Sequence, residues 1–158
     1  MNIDNFQLLT QIVDVSLDDG VLYSKAYVPG SSRVFDVHFP DYPILPGVLM
    51  IEIMAQSAGY LALINSGFQT MAILARVSHC KFSKPIMPGE ELFCKVNMKR
   101  CEHGIMINTV ELKSGESVCA AAEIRMKIID FPSQKAKRFV MENYRYLTEA
   151  TLRPMEIA

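Results

Sequence analysis

Apolar and polar positions change their period along this chain, and the two periods predict two kinds of element. From Gly47 to about Asn65, apolar side chains fall on every face of a helical wheel, which is typical of a helix buried on all sides. Ser66 and Gly67 follow as a helix stop. Beyond them, apolar and polar residues alternate in runs, as in half-buried antiparallel strands. One long buried helix followed by strands is therefore predicted.

The runs after this helix predict four strands, and the turn residues "EHG" and "SGES" separate the last three. The four runs are residues 70–82, 90–101, 104–113 and 117–129. Upstream, residues 21–29 are rich in β-formers and end at Pro29-Gly30, so they predict a further strand. A loop, 30–46, carries three prolines that should make it stiff.

The two ends of the chain have helical patterns. Residues 5–14 predict a short amphipathic helix, because Phe6, Leu8, Leu9, Ile12 and Val13 recur at near-helical spacing. Residues 130–158 are charged and helix-like, with an apolar stripe at Phe139, Val140, Tyr144 and Leu147. We therefore expect a main domain, 1–129, and a C-terminal helical extension, 130–158, packed on that domain or on a neighbouring subunit.

Grouped strands beside one long helix indicate an α+β fold, with the helix packed on an antiparallel sheet. A glycine-rich phosphate loop and a βαβ alternation are both missing, so the sequence does not support nucleotide binding. The net charge of -1 at pH 7 gives no strong field for nucleic acid or a membrane surface. The chain has 158 residues, half of them hydrophobic, which suggests a single domain with a substantial core.

Cysteine usage and the N-terminus indicate a cytoplasmic protein. The four cysteines have no CxxC pair and no metal-ligand spacing, so we expect reduced thiols packed in or against the core. The N-terminal residues are acidic where an export signal would be basic. The stretch 42–75 contains a single charge, but prolines and polar residues interrupt it, which favours a buried helix over a membrane span.

That single charge, Glu52, is the first candidate for chemistry. A carboxylate in an apolar run either finds partners or becomes protonated, and a raised pKa is what a general acid needs. A glutamate bonded to the backbone or to a basic partner, or one turned toward water, would fit the sequence equally well. Glu52 alone therefore leaves catalysis open.

His38 and Gly47 complete a candidate set. His38 lies in the proline-stiffened loop that leads into the Glu52 helix, and a base must be held in one orientation. His79 and His103 lack such a setting and are interpreted as strand-end and turn residues. Gly47 begins the helix, where free N–H groups favour negative charge. A base, an acid and a carbonyl-polarising N–H suit proton abstraction beside a carbonyl, although a glycine needed only for the turn explains Gly47 equally well.

The segment "HFPDYPILPGVLMIEIMAQSAG" resembles the signature of the β-hydroxyacyl-acyl-carrier-protein dehydratases of bacterial fatty-acid synthesis. A second segment, "ARVSHCKFSKPIMPGEEL", resembles a later strand and its lysine-proline and proline-glycine turn in that family. The resemblance covers roughly residues 5–129. It implies the hotdog fold, in which an antiparallel sheet wraps a long helix, and it implies an enzyme without a cofactor or metal.

The resemblance also implies roles for individual residues. His38 and Glu52 match the catalytic histidine and glutamate, Gly47 matches the backbone donor to the thioester carbonyl, and Gln56 matches the glutamine that orients the acid. In the family, one site draws its histidine and glutamate from two subunits, so a homodimer is the minimal unit and hexamers are common. The implied partner is an acyl carrier protein holding a 3-hydroxyacyl chain, which is converted to the trans-2-enoyl form.

Two departures from the family pattern bear on the substrate. Val37 stands where the family usually has glycine, which would reshape the mouth of the site, and the 29-residue tail exceeds that of a typical member. A related dehydratase-isomerase group usually carries aspartate at the Glu52 position, so glutamate favours simple dehydration. Two other functions stay open: a hotdog thioesterase in which Glu52 activates water, and an acyl-binding protein without catalytic activity.

Overall fold

A six-stranded antiparallel sheet wraps a long helix in the computed structural model, which describes residues 1–3 and 6–149. The elements are β1 (Gln11–Ser16), β2 (Val21–Tyr27), α1 (Arg33–Val37), α2 (Gly47–Asn65), β3 (Thr70–Phe82), β4 (Glu91–Glu102), β5 (Ile105–Ser114), β6 (Ser117–Asp130) and α3 (Gln134–Glu149). The sheet order is β1-β2-β4-β5-β6-β3, so β1 and β3 form its edges. The predicted α+β class and the hotdog arrangement are confirmed.

Helix α2 has the bounds that the sequence predicts, and it forms the centre of the core. Residues such as Ile53, Met54 and Leu61 are fully enclosed between the helix and the sheet. The prediction that α2 is buried on all sides is wrong for one stripe of the helix, because Glu52, Gln56 and their neighbours on that face are only half-buried. By length and composition α2 would suffice to cross a membrane, yet a helix in a protein core passes the same test, and just over half of α2 is buried here.

A small polar cluster ties α2 to the sheet inside the core. The Ser57 hydroxyl donates to the Ile53 carbonyl at 2.8 Å, and the Ser24 hydroxyl lies 2.8 Å from Ser57 Oγ. Cys94 of β4 adjoins both hydroxyls, and burial raises the pKa of its thiol to about 12 although both serines counteract the rise. The three side chains form hydrogen bonds with one another inside the core, and they join α2, β2 and β4.

The prediction of a short helix at residues 5–14 is wrong for the residues of that range that the structure describes. Residues 11–16 form β1, which pairs with β2 through the turn at Asp18, Asp19 and Gly20. Leu8, Leu9 and Ile12 are buried as expected, but they enter the core from an extended chain. Hydrogen bonding to β2 stabilises the extended backbone of residues 11–16, and that pairing overrides a weak local helical pattern.

The loop at 30–46 and the cysteines need smaller corrections. The loop contains α1, which begins where Ser32 Oγ accepts from Val34 N–H at 3.2 Å and which buries Phe35. His79 lies within β3 rather than at its end, whereas His103 does lie in a turn. Among the thiols, Cys94 and Cys119 are buried, but Cys80 and Cys101 are exposed, so only half of that prediction is confirmed.

Glu90 holds the turn that precedes β4. Its carboxylate accepts hydrogen bonds from Met87 N–H at 2.7 Å and from the Ser114 hydroxyl, and Lys84 Nζ lies 3.4 Å away. Burial acts to raise the pKa of Glu90, but the bonds from Ser114 and Met87 and the charge of Lys84 outweigh it and hold the pKa below the ordinary value of 4.5. The ionised carboxylate therefore stabilises this turn.

Replacing Glu90 with glutamine should lower the free energy of unfolding at neutral pH by about 1 kcal/mol, a modest value because solvent screens the Lys84 pair. The folded pKa lies below the unfolded value, so this stabilisation is present above pH 4.5 and is lost as the pH falls through the folded value. Urea unfolding between pH 7 and pH 3 measures it. Glu116→Gln, at an exposed turn, is the control, and a Glu90→Gln deficit that does not shrink in acid would contradict the account.

Candidate active site

Helix α2 begins at Gly47, which lines a cavity of about 320 Å³. Met50 N–H already uses the Pro46 carbonyl, and no protein group among the described residues accepts from Gly47 N–H. A free N–H at the positive end of a helix dipole suits an oxygen that carries negative charge. We call this space the Gly47 cavity; its lining includes His38, Met50, Phe82, Ser83, Lys84 and Pro85.

His38 lies in the same cavity, and its surroundings favour one tautomer. The ring Nδ1 lies 3.3 Å from the Ile44 carbonyl oxygen, which can only accept a hydrogen bond. A neutral His38 therefore carries its proton on Nδ1 and leaves Nε2 as the basic nitrogen. The backbone of His38 is fixed as well, because its N–H donates to the Val34 carbonyl at 3.0 Å and its carbonyl accepts from Ile44 N–H at 3.2 Å.

Phe82 also lines the Gly47 cavity, although no pattern in the sequence singles it out. It ends β3, and a Cβ atom added at Gly47 would lie 3.0 Å from Cζ of its ring, closer than ordinary contact allows. Glycine at this position therefore accommodates the close approach of Phe82, and a larger residue would force the ring or the helix start to shift. The nearby Val37 is largely solvent-exposed at the end of α1, where its side chain is 73% accessible.

Glu52 and Gln56 lie one turn apart on the half-buried face of α2. Gln56 Nε2 donates to Glu52 Oε1 at 3.1 Å and to the Phe6 carbonyl at 2.8 Å, while Gln56 Oε1 accepts from Leu8 N–H at 3.3 Å. The two backbone groups fix the orientation of the Gln56 amide, so its nitrogen faces the carboxylate. The N-terminal segment, which the sequence analysis did not connect with the site, thus positions Gln56.

The carboxylate of Glu52 opens into a second and larger cavity of about 450 Å³, which we call the Glu52 slot. Glu52 is the only residue with an acidic or basic side chain among the described residues of its lining. Tyr60 also lines the slot, and burial raises the pKa of its phenol to about 12, so the phenol stays neutral. The other lining residues are Phe6, Gln7, Leu9, Gln56, Gly59, Leu63, Met71, Ala72, Phe139, Val140, Asn143, Tyr146 and Leu147.

Within one chain, the predicted site residues are divided between the two cavities. His38 and Gly47 share one, and Glu52 and Gln56 share the other. The helical repeat explains the separation. Gly47 and Glu52 are five positions apart, so their side-chain directions differ by about 140° round the helix axis. The four residues that the motif places close together in sequence therefore do not form a single cavity in one copy.

Residues 2–123 match the FabA-like domain. The chain belongs to the FabA-like family. Relatives of this FabA-like protein include the 3-hydroxyacyl-[acyl-carrier-protein] dehydratase FabZ of Protochlamydia amoebophila, which is 31% identical over 126 residues, 79% of this chain and 81% of the relative. The enzyme of the same name from Aliivibrio fischeri is 34% identical over 120 residues, 73% of this chain and 79% of the relative. The resemblance to these dehydratases is thus confirmed.

Solved structures with the same fold have more than one activity. The dehydratase heterocomplex ApeI:P of Xenorhabdus doucetiae matches the FabA-like chain with a TM-score of 0.63 and 17% identity, over 86% of this chain and 90% of that one. A thioesterase of Haemophilus influenzae matches with a TM-score of 0.59 and 9% identity, over 78% and 80%. At such identities these neighbours establish the fold, and the site residues must decide the chemistry.

Proposed function

We propose that this protein dehydrates (3R)-3-hydroxyacyl chains carried on acyl carrier protein to trans-2-enoyl chains in fatty-acid biosynthesis, in the cytoplasm. The observation that carries the proposal is that one cavity holds both His38, with Nε2 as its basic nitrogen, and the Gly47 N–H, which has no acceptor among the described residues. A base beside a donor to a carbonyl oxygen suits abstraction of a proton from the carbon next to that carbonyl. Membership of the FabA-like family supports the same chemistry.

The proposed reaction needs only side-chain and backbone groups. His38 Nε2 removes a C2 proton while Gly47 N–H donates to the thioester oxygen, on which negative charge develops. The C2–C3 double bond forms as the C3–O bond breaks, and Glu52 supplies the proton with which the hydroxyl departs as water. Gln56 holds Glu52 through the 3.1 Å hydrogen bond. No cofactor is required, because the thioester itself acidifies the C2 proton.

The proposed site is shared by two copies of the chain. Strand β3 lies at an edge of the sheet; Met71 and Ala72 at its start line the Glu52 slot, and Phe82 at its end lines the Gly47 cavity. If two β3 edges pair antiparallel about a two-fold axis, the start of one strand meets the end of the other. The His38 of one copy then faces the Glu52 of its partner. A homodimer is thus the proposed minimal unit, and a trimer of dimers is compatible with it.

An exposed edge strand gives independent support for pairing. β3 is 13 residues long, and Ile73, Leu74 and Phe82 are between 41% and 48% accessible along it. A long strand edge with apolar side chains is a ready template for association with another chain. These features favour a β3-mediated dimer over an isolated copy.

The deciding experiment incubates the protein with 3-hydroxyacyl-acyl-carrier-protein substrates of graded chain length. Dehydration produces a conjugated enoyl thioester, which absorbs in the ultraviolet, whereas hydrolysis releases a free thiol on the carrier. We expect the enoyl product without thiol release. Thiol release alone would show a thioesterase that uses Glu52 to activate water, and acyl binding without either product would show a binding protein.

Replacing Gly47 with alanine should lower kcat/KM for dehydration by roughly 10²-fold, the size of effect seen when an oxyanion donor is disturbed. The added Cβ would lie 3.0 Å from the Phe82 ring, so the ring or the helix start must move. A steady-state assay measures the loss, with circular dichroism as a check of folding. The double variant Gly47→Ala/Phe82→Ala removes the clash and should recover part of the activity. If the double variant is no better than Gly47→Ala, the contact with Phe82 is not the cause.

A further inference from the structure

The Glu52 slot extends along one face of α2. Glu52, Gln56, Gly59, Tyr60 and Leu63 all line it, and their spacing places them on one stripe of the helix. From Glu52 to Leu63 the stripe is about 16 Å long at the α-helical rise. Uncharged groups line the described part of the slot beyond Glu52, so it suits an extended apolar chain whose reacting end lies beside the carboxylate.

Helix α3 forms another wall of the Glu52 slot. Phe139, Val140, Asn143, Tyr146 and Leu147 recur at the spacing of one helical face, and all five line the slot. This face includes Phe139, Val140 and Leu147 of the apolar stripe that the sequence predicts. Within this face Leu147 is buried, Val140 and Asn143 are half-buried, and Phe139 and Tyr146 are largely exposed. On the other side of the helix, the charged residues Arg138, Glu142 and Arg145 are exposed to solvent.

Specific contacts hold α3 in place on its own chain. Leu147 is buried in the core, and the ring of Tyr144 lies 5.1 Å from that of Phe68 and 6.2 Å from that of Tyr60, measured between ring centroids. Aromatic pairs at these separations contribute beyond the area that they bury. Since Tyr60 also lines the slot, the same residue links the position of α3 to the shape of the cavity.

We propose that α3 is the specificity-determining wall of the acyl slot, and that its less exposed lining side chains, Val140, Asn143 and Leu147, set the length of acyl chain that this protein accepts. The proposal rests on the proposed function, because it takes Glu52 as the reacting end of the slot. Helix α3 lies beyond residues 2–123, the part that matches the FabA-like domain, so this wall is an addition to the matched region. An apolar chain then lies between α2 and α3.

Two opposite changes at Val140 test the proposal. Val140→Trp fills the slot and should reduce the ratio of kcat/KM for the longest to the shortest accepted chain by roughly tenfold or more, whereas Val140→Ala enlarges it and should raise that ratio. Glu142→Trp, on the exposed face of α3, is the matched control and should leave the ratio unchanged. If Val140→Trp does not fold, the direction of the Val140→Ala shift decides.

A binding measurement separates failure of this proposal from failure of the proposed function. Acyl-pantetheine amides of graded length, in which nitrogen replaces the thioester sulfur and no 3-hydroxyl is present, cannot be dehydrated. Calorimetric titration of the full chain should show an affinity optimum that moves to shorter chains in Val140→Trp. If the optimum shifts in this way but the protein dehydrates no substrate, the role of α3 in the slot is supported and the proposed dehydratase activity is rejected. An identical length profile in all variants would overturn the role of α3, as would dissociation of the oligomer as the sole effect.

Discussion

Replacing His38 with alanine is expected to reduce kcat for dehydration by about 10²–10⁴-fold, the usual contribution of a positioned proton-transfer group. The loss follows because the Ile44 carbonyl holds the proton on Nδ1 and leaves Nε2 as the base in the Gly47 cavity. His103→Asn is the matched control: it changes an exposed histidine in a turn, and asparagine tolerates the positive φ of 51° there. It should leave turnover unchanged.

Glu52→Gln is expected to cause a loss of similar size, because glutamine cannot supply the proton with which the hydroxyl departs. The fold should survive, since a glutamine side chain has nearly the same shape and can still bond to Gln56. Circular dichroism and a thermal melt verify folding before kinetics are measured. Near-normal turnover in a folded His38→Ala or Glu52→Gln protein would reject the assignment of that residue.

Mixing the two inactive proteins is expected to restore activity. In a mixed dimer, one site receives the intact His38 of the first copy and the intact Glu52 of the second, while the other site receives neither. Restoration follows from the position of β3, whose two ends line the Gly47 cavity and the Glu52 slot. The measurement is turnover after subunit exchange, for example by co-refolding of the two variants at equal concentration.

A matched control tests whether the recovered activity comes from a site shared between two subunits. Co-refolding His38→Ala with the double variant His38→Ala/Glu52→Gln provides no intact histidine, so no activity should return. Subunit exchange can be verified independently with a tag on one variant. If tagged and untagged subunits exchange and the mixture of single variants stays inactive, each site is built within one chain and the proposed dimer is wrong.

The long helix shows how far a local pattern can be trusted. The sequence predicts α2 with both of its bounds, because an apolar run between Pro46-Gly47 and Ser66-Gly67 has clear start and stop signals. The strands after it were equally predictable, since alternation and turn residues are local features. The segment at 11–16 was not, because its apolar spacing is ambiguous and its hydrogen bonds go to β2.

By itself, the sequence determined the order of the main elements from β2 to α3, the identity of the motif and the residue types that we propose for proton transfer. These depend on period and turn chemistry over a few neighbouring residues, which any reader of the sequence can recognise. Only the tertiary structure decided that His38 and Glu52 open into different cavities, that Phe82 covers Gly47 and that Phe6 and Leu8 hold Gln56. Such contacts join residues tens of positions apart, and packing of helix on sheet, rather than any local pattern, brings them together.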